Sequence, residues 1–457
     1  MDRYNSIYFV GAGGIGMAAL VRYYLQNGYR VAGYDKTRTP LTDSLVEEGA
    51  VISFSDEIAE IPDYCKDKDT TLVVFTPAVP ATHKGLTYFR ENGFKVLKRA
   101  QLLGLITKQS KGICFAGTHG KTTTSSIAAH LMHQSEIGCN AFLGGILRNY
   151  DSNLLLSNSS PYTVIEADEY DRSFHSLSPY IAVITSTDAD HLDIYGTEEA
   201  YLESFIHFTS LIQSEGALIM HTNCKITPKL ADGVKLYSYS RDKGDFHAEN
   251  VRYIDGDIIF DFVYPNGVIK DITLGVPVDI NIENSVAAMA ATILLGVDVN
   301  AMRSAVKSYM GAKRRFEFWL KESGENGRVV IDDYAHHPDE IKASISSLKA
   351  LYPNRKLLTV FQPHLFSRTR DFAPEFATAL SLSDEVLLLE IYPARELPME
   401  GITSEIILKD IICDSKEICS KNDLINTLKK YNFDILLTLG AGDINNYLPE
   451  ICKLVKG

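Results

Sequence analysis

Apolar and polar positions alternate along the chain in a repeated strand, helix, strand rhythm. The run "SIYFV" at 6 to 10 meets glycines directly, "MAALVRYYLQNG" has helical spacing with a stop at Gly28, and "YRVAGYD" supplies a second strand. "TLVVFTPAVP" (71 to 80) and "KVLKRAQLLGLI" (95 to 106) continue the alternation, which predicts a parallel sheet. The pattern restarts at "KGICFAGTHGKTTT", followed by "YTVIEAD" (162 to 168) and "YIAVITST" (180 to 187), each an apolar strand ending in a polar cluster. Strands over 245 to 275 and an alanine-rich helix, "ENSVAAMAATILLG", close this region. After "YMGAKRRFEF" and the short polar stretch "KESGENGR", a third alternation runs through "VVIDDYAHHPDEIKASISSLKALYP", "KLLTVFQ", "EVLLLEI" and "FDILLTLGAGD". The expectation is an α/β protein of three domains, over 1–106, 107–312 and 313–457.

Composition narrows this reading. A chain of 457 residues predicts several domains, and 45% hydrophobic with 23% charged residues is ordinary for a globular protein. The net charge of −13 argues against nucleic acid or an anionic membrane as the main partner. The seven cysteines (65, 114, 139, 224, 413, 419 and 452) are scattered and never spaced C-x-x-C, so neither a disulfide framework nor a zinc site is expected. No apolar stretch reaches about 18 residues, and a cytoplasmic location is expected.

Two glycine loops carry the candidate chemistry. "GAGGIG", Gly11, Ala12, Gly13, Gly14, Ile15 and Gly16, follows a strand and opens a helix, and Asp35 ends the next strand 19 residues beyond Gly16. Such glycines let backbone N–H groups reach a diphosphate at the helix N-terminus, while the acidic side chain meets a ribose hydroxyl. The motif specifies a diphosphate and leaves open a redox dinucleotide, another diphosphate-linked ligand or a mere tight turn. "GTHGKTTT", Gly117, Thr118, His119, Gly120, Lys121, Thr122, Thr123 and Thr124, is a phosphate loop shorter than the usual pattern, with Phe115 where a first glycine would stand. Its amides would cradle phosphates, Lys121 would neutralise them and Thr122 would offer a hydroxyl to Mg2+, so a nucleoside triphosphate is expected here.

Polar clusters follow the strands of the same region. "EADEYD" at 166 to 171 places four carboxylates in six residues, a set of oxygens that suits a hard cation, although a solvated acidic turn is the plainer reading. "DADHLD" puts His191 between Asp190 and Asp193 as a ligand or proton carrier, against a structural histidine. In the third region "DDYAHHPDE" ends a strand, Pro338 suits a first helical turn, and "FQPHLFSRTRDF" supplies His364, Arg368 and Arg370. Paired arginines there can begin a solvated helix or grip a carboxylate or phosphate.

Taken in order, the two glycine loops, "EADE", "DADH", "KRRFEF", "DDYAHHP" and "FQPHLFSRTRD" resemble the Mur ligase family across all three regions. The resemblance implies a Rossmann-like UDP-binding domain, a central P-loop ATPase-like domain with a mostly parallel sheet, and a Rossmann-like C-terminal domain that binds the amino acid. It implies ATP-driven joining of L-alanine to the lactyl carboxylate of UDP-N-acetylmuramate through an acyl phosphate, with Mg2+ or Mn2+. By resemblance the first loop, with Asp35, Thr76 and Arg99, holds the UDP-sugar. Lys121 and Gly117 to Thr123 hold ATP together with Asn281, Asn284, Asp333, Tyr334 and His337. Thr122, Glu166 and His191 hold metal, Arg315 is the family's interdomain arginine, and His364 with Arg368 bind carboxylates. A monomer or weak homodimer with only small-molecule substrates is expected.

Three positions depart from the family pattern. Ile280 stands where the adenine segment usually has histidine, Leu365 replaces a basic residue, and "YGTEEAYLESFIHF" lacks the lysine that other branches carbamylate, which agrees with the alanine-adding branch. The rival readings are a ligase recycling a whole tripeptide onto the same sugar, an NAD-dependent dehydrogenase and a non-catalytic ATP-binding regulator.

Overall fold

β1 (Ser6–Val10) is buried along its whole length, which is why it reads as a continuous apolar run. It is the central strand of a five-stranded parallel sheet completed by β2 (Arg30–Tyr34), β3 (Val51–Ser53), β4 (Thr71–Phe75) and β5 (Lys95–Lys98), in the order β3-β2-β1-β4-β5. The register pairs Val10 with Tyr34 on one side and Phe75 on the other. The carboxyl ends of three strands are therefore level, and Gly11, Asp35 and Thr76 follow them at one edge. The computed structural model describes residues 3–456 except 81, 158, 255, 323, 325, 326 and 395, and Asp193 without its side chain.

The second sheet has seven strands: β6 (Lys111–Ala116), β7 (Asn140–Leu147), β8 (Ser152–Leu155), β9 (Tyr162–Glu166), β10 (Pro179–Ile184), β11 (Ala217–His221) and β12 (Lys235–Tyr239). Their order is β12-β11-β10-β6-β9-β7-β8, and only β8 runs antiparallel to its neighbour. β6 lies between β9 and β10, with Phe115 opposite Glu166 and Ala116 opposite Ile184. The chain order reverses across β6, the kind of switch point where open α/β sheets bind ligands.

A three-stranded sheet follows, β13 (His247–Ile254), β14 (Asp257–Tyr264) and β15 (Gly267–Thr273). The last sheet contains β16 (Glu317–Lys321), β17 (Val329–Asp333), β18 (Leu357–Phe361), β19 (Glu385–Leu388), β20 (Ser415–Ile418) and β21 (Ile435–Leu439), in the order β16-β17-β21-β18-β19-β20. β16 is antiparallel and the rest are parallel, with Asp333 and Phe361 both level with Leu439.

The chain divides into two compact units. One comprises Met1–Glu249, Phe262–Ile269 and Glu283–Val306; the other comprises Asn250–Asp261, Lys270–Ile282 and Lys307–Gly457. Within the first unit a single apolar core runs from Ile7 and Phe9 through Leu20 and Leu102 to Cys114, Ile165 and Phe205, so the first two sheets are parts of one packed body. Buried Asn153 on β8 fastens the two together: its Nδ2 donates to the Ile15 carbonyl, 2.8 Å away, at the start of the helix Ile15–Gln26.

The helix Arg99–Gln109 approaches the 3₁₀ segment Tyr170–Ser176 so closely that a Cβ on Gly104 would lie 2.1 Å from the Ser176 carbonyl oxygen. Neither backbone can yield cheaply. Gly104→Ala is expected to destabilise the first unit by about 1–3 kcal/mol, seen as a lower Tm in thermal unfolding. An unchanged Tm would contradict this packing.

Candidate active site

The phosphate loop sits between β6 and the helix Lys121–His133 because two glycines permit it. Gly117 has φ +138° and a Cβ there would lie 2.1 Å from Thr185 Oγ1, while Gly120 has φ +81° at the helix N-cap. Thr118 Oγ1 donates to the Asp188 carbonyl (2.6 Å) and pairs with the Tyr201 hydroxyl (2.8 Å), and the His119 amide donates to Ser186 Oγ (2.9 Å). Asn284 also meets this loop: its Oδ1 accepts from Thr124 Oγ1 at 3.2 Å and lies against Gly120. Asn281, one turn earlier, donates to the Val276 carbonyl (3.2 Å), and neighbouring Ile280 is about half exposed. Thr123 occupies the first turn of the loop helix.

Lys121 Nζ lies 2.8 Å from each carboxylate oxygen of Glu169 and donates to the Gly117 carbonyl (2.7 Å). Glu169 is almost wholly buried, and burial pushes its pKa up despite the lysine. Next to it Thr122 Oγ1 donates to Glu166 Oε1 (2.9 Å), and the Gly144 amide donates to Glu166 Oε2 (3.1 Å). Glu166 too is raised by burial, with Asp168 adding to the effect. His191 Nε2 stands 3.8 Å from Glu169, and its Nδ1 3.7 Å from Asp190. The Asp193 side chain lies outside the described residues.

Three residues around this cluster have left-handed backbone without being glycine: Asp171 (φ 47°), Arg172 (φ 60°) and His191 (φ 54°). Such conformations persist only where surrounding contacts impose them. Here Arg172 lies over the Tyr195 ring at 4.5 Å, and the Tyr195 hydroxyl donates to the Glu169 carbonyl.

At the first loop, Asp35 Oδ2 accepts the Gly13 N–H at 2.7 Å and Oδ1 accepts that of Thr37 at 3.1 Å, so the carboxylate braces the loop it adjoins. Gly11 (φ +89°) is held against Thr76, whose Cγ2 would be 2.4 Å from an added Cβ. The Arg99 guanidinium lies over Gly16, with Nη1 2.5 Å from where a Cβ would stand. Ala12 is fully buried and, unlike its neighbours in the loop, does not line the cavity beside it. Gly14 caps the helix that begins at Ile15. One cavity of about 850 Å3 joins Gly11, Gly13, Gly14, Ile15, Gly16, Asp35, Thr76 and Arg99 to Glu166 and Asp168.

In the second unit, β17 delivers Asp333, which is buried and accepts hydrogen bonds from Ser344 Oγ and the Phe316 amide. Tyr334 lies under both Arg314 (4.9 Å) and Arg315 (5.5 Å). His337 is the N-cap of the helix Pro338–Leu351, its Nδ1 accepting from the Asp339 amide. His364 stacks on Tyr392 with ring centroids 5.8 Å apart. Arg368, on the helix Phe366–Leu380, has no ion pair among the described residues; burial lowers the pKa values of His336 and His364, and the charge of Arg368 adds to the effect.

Similarity to known proteins agrees with this geometry. Models described as "Mur ligase family, catalytic domain", "Mur ligase middle domain" and "Mur ligase, glutamate ligase domain" match residues 6–111, 115–292 and 314–442. The chain belongs to the Mur ligase family. It is 58% identical to the UDP-N-acetylmuramate–L-alanine ligase of Phocaeicola vulgatus, over 99% of this chain and 98% of that protein, and 54% identical to that of Parabacteroides distasonis, over 100% and 99%. A solved UDP-N-acetylmuramate–alanine ligase from Thermotoga maritima is similar over 99% of both chains, with 27% identity and a TM-score of 0.79. A murein peptide ligase from Psychrobacter arcticus, 22% identical with a TM-score of 0.61, shares the fold.

Glu169 and Gly144 were not singled out from the sequence. "EADE" contains Glu169, but nothing in its spacing pairs it with Lys121. The double glycine in "FLGGIL" was the available signal for Gly144.

Asp332, which precedes Asp333, gives a test of the second unit. It is fully buried, accepts from Thr438 Oγ1 at 2.6 Å, and lies 3.6 Å from Arg314 Nε; burial raises its pKa to about 6. Between the unfolded value near 4 and this value, the folded state holds a proton that the unfolded state has released, so stability falls as pH rises through that window. Asp332→Asn lacks this term. Its Tm relative to wild type is expected to rise between pH 4 and pH 7, and a constant difference would contradict the assignment.

Proposed function

We propose that this protein joins L-alanine to UDP-N-acetylmuramate, with ATP converted to ADP and phosphate. The observation that carries the reading is the single cavity joining the first glycine loop to Glu166, which is itself bonded to Thr122 of the phosphate loop. A UDP-sugar whose diphosphate lies on Gly13 to Gly16 under Arg99 would extend its acid toward the triphosphate. The relatives named as L-alanine ligases support the choice of amino acid. A dehydrogenase would give the phosphate loop nothing to do, and the tripeptide-recycling reading draws on a likeness of only 22% identity.

The lactyl carboxylate oxygen attacks the γ-phosphorus; the new O–P bond forms as the bond to the ADP oxygen breaks. The alanine ammonium gives up one proton to solvent, its nitrogen forms a bond to the acyl carbon, phosphate leaves with its electron pair, and a second proton is lost as the amide forms, which keeps one N–H. Lys121 supplies positive charge to the transferring group, and the amides of Gly117 to Thr123 orient it. We assign Asn281 and Asn284 to the adenine, and Asp333, Tyr334, His337 and Arg315 to ATP. Arg368 and His364 hold the carboxylates.

Mg2+, or Mn2+ in its place, fits Thr122 and Glu166, and we assign His191 to a second ion. Thr122 and Glu166 are hard oxygen donors already side by side. Among the described residues no three His, Cys, Asp or Glu side chains are grouped so as to hold an ion by themselves. When bound, such an ion offsets phosphate charge. Among the described residues no helix is long and apolar enough to cross a membrane, and we assign the reaction to the cytoplasm, in a monomer or weak homodimer.

Phosphate release from ATP is expected only with UDP-N-acetylmuramate and L-alanine together, yielding a product one alanyl residue heavier. Release with the stem tripeptide instead would favour the recycling reading. Lys121→Ala is expected to bind UDP-N-acetylmuramate normally while releasing phosphate at least about 100-fold more slowly. Undiminished release would remove Lys121 from the reaction.

A further inference from the structure

The segment that leads into β16 carries a backbone that side chains rarely allow. Arg314 (φ 59°) and Phe316 (φ 47°) are both left-handed without being glycine, and Arg315 stands between them. A bulky residue in that region is strained, so the contacts around the turn must impose it. The turn gives two successive arginines different surroundings. Arg314 Nη2 donates to the Gly440 carbonyl (2.6 Å) and its Nε lies 3.6 Å from buried Asp332. Arg315 is exposed and pairs with no carboxylate among the described residues; its guanidinium lies 5.5 Å from the Tyr334 ring.

The amides of this turn are pinned one after another. The Arg314 N–H donates to Glu317 Oε2 (2.8 Å), that of Arg315 to the Ala312 carbonyl (3.1 Å) and that of Phe316 to Asp333 Oδ1 (3.3 Å). The Arg314 carbonyl in turn accepts the Tyr334 amide hydrogen at 2.8 Å. Both left-handed residues are therefore held by side-chain carboxylates. Glu317 is only 7% exposed and stands opposite fully buried Asp332 in the register of β16 with β17, with buried Asp333 next along the chain. Carboxylates crowded out of water repel one another, and burying one is costly unless its bonds offset the loss. Glu317 offsets it with a charge-assisted bond to the amide of the first left-handed residue.

We infer that Glu317 is a positioning residue for Arg315: its carboxylate fixes the turn at Arg314 and so fixes the direction in which the Arg315 guanidinium meets the triphosphate. The inference rests on the assignment of Arg315 to ATP. Arginine grips phosphate through a planar fork, so its direction matters as well as its charge. A small displacement of a group that stabilises transferring charge slows the reaction steeply.

A double-mutant cycle between Glu317 and Arg315 tests this, with phosphate release from the full chain as the readout and every variant assayed well below its Tm. Glu317→Ala is expected to lower kcat about tenfold while leaving the KM for UDP-N-acetylmuramate unchanged. Glu317→Gln keeps an oxygen that accepts the Arg314 N–H and is expected to stay within about threefold of wild type. In an Arg315→Ala background, itself slowed, Glu317→Ala is expected to change kcat by less than about twofold, because the group it positions is gone. The full loss in that background, or a Glu317→Gln variant as slow as Glu317→Ala, would show a general structural role and overturn the inference while leaving Arg315 at ATP. Undiminished release by Arg315→Ala alone would overturn that assignment and the inference with it. A wild type that releases no phosphate with UDP-N-acetylmuramate and L-alanine would overturn the proposed reaction and the inference together.

Discussion

The first unit is organised around a shortage of positive charge. Glu166, Asp168 and Glu169 follow one strand and Asp188 and Asp190 another, while Lys121 is the cation placed among them. Bringing a polyphosphate to such a place would fail electrostatically unless the charges were rearranged. The structure meets the problem in two ways. Lys121 is tethered to Glu169, so its charge is already in position, and Glu166 is held by Thr122 and the Gly144 amide with its oxygens presented together. The strained backbone at Asp171, Arg172 and His191 is local evidence that this arrangement is imposed by its surroundings.

A second constraint is distance. Two substrates that react must be held by loops that keep their separation, and here both loops belong to one packed body. The helix that starts at the first glycine loop packs on the second sheet and is bonded to it through Asn153. Gly104 allows another helix of the first sheet to rest against the segment that carries the acidic cluster. Level strand ends do the remaining positioning, since Gly11, Asp35 and Thr76 share one edge and Gly117 and Glu166 share another.

Much of this was legible from residue order. The strand, loop, helix runs at Gly11 and Gly117 are governed by local rules, and they appear where the alternation places them. The hairpin of β7 and β8 was not legible, because "NAFLGGIL" has no clean alternation, and its role in bracing Glu166 comes from a backbone amide that no side-chain pattern reveals. The pairing of Lys121 with Glu169 joins positions 48 residues apart, and only the register of β6 with β9 brings them together. His337 shows the converse, since a residue expected at ATP also has a plain structural duty as an N-cap.

The most direct test of the charge argument is calorimetric binding of a non-hydrolysable ATP analogue with and without Mg2+, in wild type and in Glu166→Gln. The account predicts that wild type binds the nucleotide at least about 100-fold more tightly with Mg2+, and that the variant loses most of this dependence. Equal affinity with and without the ion in wild type would show that the carboxylate cluster does not govern the triphosphate, and would contradict the account.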